Sequence, residues 1–123
     1  MNNNPVGWFE IYVQDIPRSR SFYQNVFSIE LDELNMPDAE MWTFPMNEAG
    51  KGISGALVKT EGVSSGGNST MVYFTCEDCA VEESRVAGQG GKVVRSKFSI
   101  GEYGFVSLVT DTEGNKIGLH SLK

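Results

Sequence analysis

The sequence predicts an α+β chain made of two βαβββ modules. Three observations carry that prediction. Several segments are dense in β-branched and aromatic residues. Two short amphipathic stretches each follow an aspartate. After a Gly/Ser-rich stretch at 60–68 the order of elements repeats. A fixed offset of 63 residues pairs Asp78 with Asp15, Ser84 with Ser21 and Gly118 with Gly55, as a duplicated unit would. All 123 residues together are one domain's worth of material. Half of that buries too little surface to be secure alone, so the halves are expected to pack together or against halves of a second copy.

Each element has its own justification. Residues 7–14 (GWFEIYVQ) read as a strand. Asp15-Ile16-Pro17 starts a helix, with an acid at the positive end of the dipole and a proline in the first turn. Over the helix 17–27, Phe22, Tyr23, Val26 and Phe27 share one face, while Arg18, Arg20, Gln24 and Asn25 point elsewhere. Strands follow at 29–36 and 40–46 around a turn at Pro37-Asp38, then at 53–59. This completes a first module over 5–60, and 61–68 is read as a linker. The second module, 69–122, has a strand at 69–76 and a helix at 78–89 that Gly88, Gly90 and Gly91 stop. Strands at 92–98, 103–110 and 115–121 complete it, with a turn over 111–115.

Charge narrows the function. Ten Lys and Arg against sixteen Asp and Glu leave a net charge of −6. Nucleic acid and anionic membranes are bound through positive charge, so neither is an expected partner. No apolar run approaches the roughly 20 residues that cross a bilayer. Met1-Asn2-Asn3-Asn4-Pro5 has neither the basic nor the apolar stretch of a secretory signal. Two cysteines, Cys76 and Cys79, make no disulfide framework. A cytoplasmic protein is expected.

Strand alternation sorts the side chains by face. Phe9, Ile11 and Val13 are expected under a helix, leaving Trp8, Glu10 and Tyr12 opposite. In the second module Val72, Phe74 and Cys76 go under the helix, and Met71, Tyr73 and Thr75 opposite. In the last strand Gly118 and His120 join that opposite face, and the 63-residue offset adds Gly55 and Leu57 from the first module. Aromatic and polar groups separated by glycines are what a small-molecule site requires.

These residues resemble a known superfamily. WFEIYVQDIPRSRSFYQNVF resembles the opening, and DTEGNKIGLHS the closing segment, of vicinal oxygen chelate proteins, which include glyoxalase I, bleomycin-resistance proteins and extradiol dioxygenases. Thr112 stands where the closing motif usually has proline. The resemblance spans about Pro5 to Ser121, and so treats 1–123 as a single domain of this type. It implies paired modules whose curled mixed sheets enclose a cleft, and commonly a homodimer. Metal-dependent members place His or Glu on the first and last strand of each module. The corresponding residues here are Trp8, Gly55, Met71 and Gly118, which offer a divalent ion no hard donor. No metal and no other cofactor is therefore expected.

Each candidate residue has a functional and a plain structural reading. Glu10 is a general base, a ligand of a relocated metal site, or a carboxylate tied to a nearby tyrosine or amide. His120, the only histidine, forms an acid–base trio with Glu10 and Tyr73, or is a hydrogen-bonded residue near the sheet end. Trp8, Tyr12, Trp42 and Tyr73 stack a planar ligand or belong to the core, and the facing of Trp42 is left open by its strand. Met71, Gly55 and Gly118 complete the expected ligand-binding set. Cys76-Glu77-Asp78-Cys79 spells a redox motif, but acidic neighbours disfavour a thiolate and buried apolar cysteines fit better.

Three functions are in keeping with the resemblance. The first is a glyoxalase/bleomycin-resistance-like protein that binds a small organic molecule without metal. The alternative is a lyase or isomerase related to glyoxalase I (lactoylglutathione lyase), using Glu10 as base with His120 or Tyr73 at the oxyanion, or with a divalent metal. A subunit-like partner domain with a vestigial cleft is the third.

Overall fold

The computed structural model describes residues 4–67, 69–112 and 114–123, and within these the chain forms two compact units. Residues Asn68 and Glu113, in the expected linker and turn, lie outside the described set.

The first unit is Trp8–Thr70. Strand β1 (Val6–Tyr12) runs parallel to β4 (Gly55–Lys59), which pairs antiparallel with β3 (Glu40–Thr43), and β3 with β2 (Asp32–Asn35). The strand order is β2-β3-β4-β1. Helix α1 (Ile16–Phe27) starts where the sequence says, with Asp15 capping the Arg18 amide at 3.0 Å. It ends at Ser28, whose φ of 54° closes the last turn onto the Gln24 carbonyl. Val13, Ile16, Leu31 and Leu57 form the core beneath it, with Ile11, Tyr23, Ile29, Trp42 and Phe44 around them. Burying a Leu or Ile side chain in such a cluster contributes about 1.5–3 kcal/mol.

Two expectations change here. Strand β2 is shorter than 29–36, because Ile29 and Leu31 pack into the helix core and Gln24 Oε1 takes the Leu31 amide at 3.0 Å. The helix is also rotated from its expected facing. Phe22, Val26 and Phe27 are 58%, 56% and 60% exposed, and of the four predicted inward residues only Tyr23 packs against the core. The inward stripe instead uses Ile16, Tyr23 and two polar residues. Arg20 lays its guanidinium 3.6 Å over the Trp42 ring, and Gln24 holds the chain after the helix.

The second unit is Met71–Lys123 with the N-terminal residues up to Gly7. The Thr75 amide donates to the Pro5 carbonyl at 2.8 Å, which ties that N-terminal segment to it. Strand β5 (Thr70–Thr75) is parallel to β8 (Lys116–Ser121), and β7 (Phe105–Thr110) and β6 (Lys92–Ser99) continue antiparallel in the order β5-β8-β7-β6. Helix α2 (Cys79–Val86) is capped by Asp78 on the Ala80 amide. The expected helix 78–89 finishes as a 3-10 turn over Ala87–Gln89, stopped by Gly90 at φ 93°. Cys76, Cys79, Val109 and Leu119 form the core under α2.

The segment read as a linker is held within the first unit. Gln14 Nε2 donates to the Val63 carbonyl at 2.9 Å and Thr60 Oγ1 to the Asp38 carbonyl at 3.1 Å. Among the described residues no helix is long and apolar enough to cross a membrane.

Candidate functional site

In each unit one sheet face carries the helix and the other does not, and the registers decide which residues share the helix-free side. In the first unit Glu10 stands opposite Ala56 and Tyr12 opposite Val58, with Met41 beside Val58 and Thr43 beside Ala56. Trp8 and Tyr12 pack there against Met41, Ala56 and Val58. The expected trio Trp8, Glu10 and Tyr12 therefore shares the face away from α1.

Gly55 and Leu57 do not share it. Gly55 pairs with Phe9, and a Cβ built on it would meet the Phe9 ring at 2.7 Å. Leu57 pairs with Ile11 and is fully buried in the core under α1. The 63-residue offset holds for the two capping aspartates but not for the closing strands. Glu10 opposes Ala56 where Tyr73 opposes Gly118, an offset of 62. A shift of one residue moves every side chain of a strand to the other face.

Glu10 is only 9% exposed. The Tyr12 hydroxyl donates to its Oε1 at 2.8 Å and the Trp8 indole N–H to its Oε2 at 3.3 Å. Residues two apart on a strand share a face, so the alternation of the sequence itself builds this cluster. Burying a carboxylate is costly unless donors meet it, and the two aromatic side chains supply them without adding charge. Trp42, whose facing the sequence leaves open, lies on the α1 side under Arg20.

In the second unit Tyr73 faces Gly118, and Thr75 faces His120. His120 Nε2 lies 2.6 Å from the Tyr103 carbonyl oxygen. A carbonyl can only accept, so this nitrogen carries the proton of the contact. Tyr103 belongs to a 3-10 turn over Gly101–Tyr103, as the glycines at 101 and 104 suggest, so the strand expected from 103 begins only at Phe105; Gly104, at φ 105°, ends the turn. Met71 is buried. Arg95, opposite Leu108, covers the Phe98 ring at 3.6 Å.

The residues do not fit the metal that many relatives of this fold carry. Trp8, Met71 and Gly118 give an indole, a thioether and no side chain. On the helix-free face the fourth position is Ala56 rather than Gly55, again without a donor. A side chain at position 118 would also run into the Tyr73 ring, whose Cγ lies 2.9 Å from a Cβ placed there. Among the described residues no group of three or more His, Cys, Asp or Glu is placed to hold a metal ion.

The cysteine motif is inert. Cys76 and Cys79 are free and buried, and the Cys76 thiol is pushed up to about 11, first by burial and then by the charge of Glu82 and by Cys79. A separate open depression of about 670 Å³ lies beyond the ends of β1 and β4, lined by residues including Gln14, Asp38, Glu40, Lys59 and Glu61. It has no aromatic wall and includes none of Trp8, Glu10 and Tyr12, so its chemistry is unlike that of the Glu10 face.

Two βαβββ units, each with its helix on one face of its sheet, define the class of fold to which the chain belongs. The sequence pattern of the Glyoxalase/Bleomycin resistance protein/Dioxygenase superfamily matches residues 6–119, and the chain belongs to that family. Among solved structures it is similar to methylmalonyl-CoA epimerase from Mycobacterium tuberculosis, at 14% identity and a TM-score of 0.71 over 97% of this chain and 88% of that one. It is similar to a Streptomyces coelicolor methylmalonyl-CoA epimerase variant in complex with 2-nitronate-propionyl-CoA, at 13% identity and TM-score 0.68 over 96% of both chains. A hypothetical protein from Bacillus halodurans C-125 gives TM-score 0.73 at 11% identity, over 96% of this chain and 94% of that one. At these identities the likeness is one of fold. No curated protein matches the chain in sequence.

Proposed function

We propose that the chain binds a small organic molecule on its helix-free sheet faces and needs no metal at the positions its relatives use for one. One observation supports this reading: Glu10, a buried carboxylate, is oriented by Trp8 and Tyr12 on the sheet face away from α1. The aromatic pair supplies stacking surface, worth about 0.5–1.5 kcal/mol per ring pair beyond burial. Glu10 supplies a fixed polar anchor, which gives such a site orientation. On the second unit Tyr73, Gly118, His120 and Met71 take the corresponding part.

The test is metal content together with ligand binding. Purified protein is expected to contain far less than one equivalent of metal, and its melting temperature to be unmoved by nickel, zinc or manganese. Stoichiometric metal that is lost in Glu10→Gln and His120→Ala would overturn the reading. Tryptophan fluorescence over a library of small heteroaromatic compounds should report binding that Trp8→Ala abolishes.

The second reading is a lyase or isomerase in which Glu10 takes a proton beside a carbonyl. The Tyr12 hydroxyl 2.8 Å from Glu10 favours it, because it fixes the carboxylate as a base requires. Turnover lost in Glu10→Gln while binding persists would decide for the enzyme. The reading includes a homodimer, supported by the exposed apolar strip Phe22, Val26 and Phe27. Light scattering that gives a strict monomer at micromolar concentration would refute the dimer.

A further inference from the structure

Helix α1 turns an apolar strip outward. Phe22, Val26 and Phe27 are all more than half exposed. Arg18, Phe22 and Val26 follow one another at four-residue spacing, so they form one row along the helix. Arg18 stands exposed at the N-terminal end of that row, and Glu30 is exposed just past the C-terminal end of the helix. Among the described residues neither forms an ion pair. The last turn of α1 holds no basic side chain, so nothing on the helix itself offsets the negative end of its dipole. Residues 16–29 contain no acid, although the chain as a whole carries a net charge of −6.

We infer that this strip is the contact surface for a second copy of the chain, with two α1 helices packed antiparallel about a twofold axis. The inference rests on the homodimer reading given above and names its interface. Register and charge both select this occupant. Setting Phe22 beside the partner's Val26 brings Arg18 toward the partner's Glu30, because both pairs are centred on Gln24. The twofold axis makes each of these contacts twice. Arg18 then also supplies the positive charge that the C-terminal end of the partner helix lacks. Two copies with a net charge of −6 repel each other on most approaches, and a stretch without acids is where they meet most readily. Stable interfaces bury on the order of 1,600 Å². One pair of 12-residue helices provides less, so the dimer is expected to be reversible and to depend on concentration.

Sedimentation velocity and light scattering of the full chain over a micromolar concentration series test the interface. The wild type is expected to pass from monomer to dimer. Phe22→Ser, which removes little from the fold of one copy, is expected to stay monomeric. Arg18→Glu and Glu30→Arg should each weaken the dimer at least about tenfold, since each sets like charges together twice. The double variant carries the swapped pair and should dimerise about as well as the wild type. A wild type that is monomeric throughout overturns both the homodimer reading and this interface. A dimer that Phe22→Ser leaves intact overturns the interface while the homodimer reading stands. Single charge variants without effect, or a double variant that does not recover, overturn the antiparallel register. Uptake of a monomeric chain by phosphatidylcholine vesicles, lost in Phe22→Ser, makes a lipid surface the occupant and overturns the second copy.

Discussion

Tyr73 lies opposite Gly118 in the parallel β5–β8 pair, and its ring occupies the space a side chain at position 118 would need. Gly118→Ala is therefore expected to destabilise the protein by about 1–3 kcal/mol, as overpacking does. In a Tyr73→Ala background the same substitution should cost much less, a coupling that urea denaturation of the four proteins measures. Equal costs in both backgrounds would show that the ring is not the obstacle.

Removing the hydroxyl of Tyr12 should be felt at Glu10. A hydrogen bond to a charged group contributes about 1.5–3 kcal/mol, so Tyr12→Phe should lower unfolding stability by that order. The Trp8 contact is longer, 3.3 Å against 2.8 Å, so disrupting its N–H alone should cost less. Chemical denaturation of Tyr12→Phe and Glu10→Gln checks the pair.

The rotation of α1 makes neighbouring aromatics unequal. Phe22 is exposed and touches Tyr23 edge-on at 5.1 Å between ring centres, whereas Tyr23 also meets Phe44 at 5.5 Å. Phe22→Ser should cost under about 1 kcal/mol. Tyr23→Ala should cost on the order of 3 kcal/mol, because it opens the helix core. Reversed magnitudes in thermal unfolding would place the helix the way its apolar pattern suggested.

At neutral pH the Cys76 thiol stays protonated, since its pKa is raised from 9.0 to about 11. Iodoacetamide should modify it only as fast as the chain opens. The raised value also gives a sign for alkaline stability. Above pH 9 the unfolded chain loses this proton while the folded one keeps it, so stability falls as pH rises from 9 to about 11. Cys76→Ala should flatten that limb of a stability–pH curve.

Acid acts through Asp78. Its carboxyl is held below the usual value of 3.8, first by the Lys97 ammonium at 2.9 Å and then by the Ala80 amide it caps. A depressed acid contributes stability that is present above its unfolded pKa and lost as pH falls through the folded one. Lys97→Met should move the Asp78 titration, followed by NMR of its side-chain carbon, upward toward 3.8.

Much of this was legible in the residues, for identifiable reasons. Asp15 and Asp78 gave both helix starts because a cap is a local device that needs no tertiary context. The face shared by Trp8, Glu10 and Tyr12 follows from strict alternation along one strand. What depended on pairing between strands was harder. Gly55 fell on the wrong face because a constant offset assumes equal loop lengths, and the first unit spends one more residue between its cap and its closing strand. The facing of α1 was hidden because Arg20 and Gln24, polar by type, point inward to a ring and a backbone amide. The contact of His120 with the Tyr103 carbonyl depends on a turn seventeen residues away, with no local signature.

That single extra residue in the first half also constrains redesign. A perfectly twofold version made by copying one half onto the other must choose between two spacings from capping aspartate to closing strand. Copying by position number would turn the last strand inside out, trading the buried leucine for the surface next to Glu10. Symmetrised variants therefore require a one-residue deletion or insertion before the closing strand, and sequence averaging alone will misfold them.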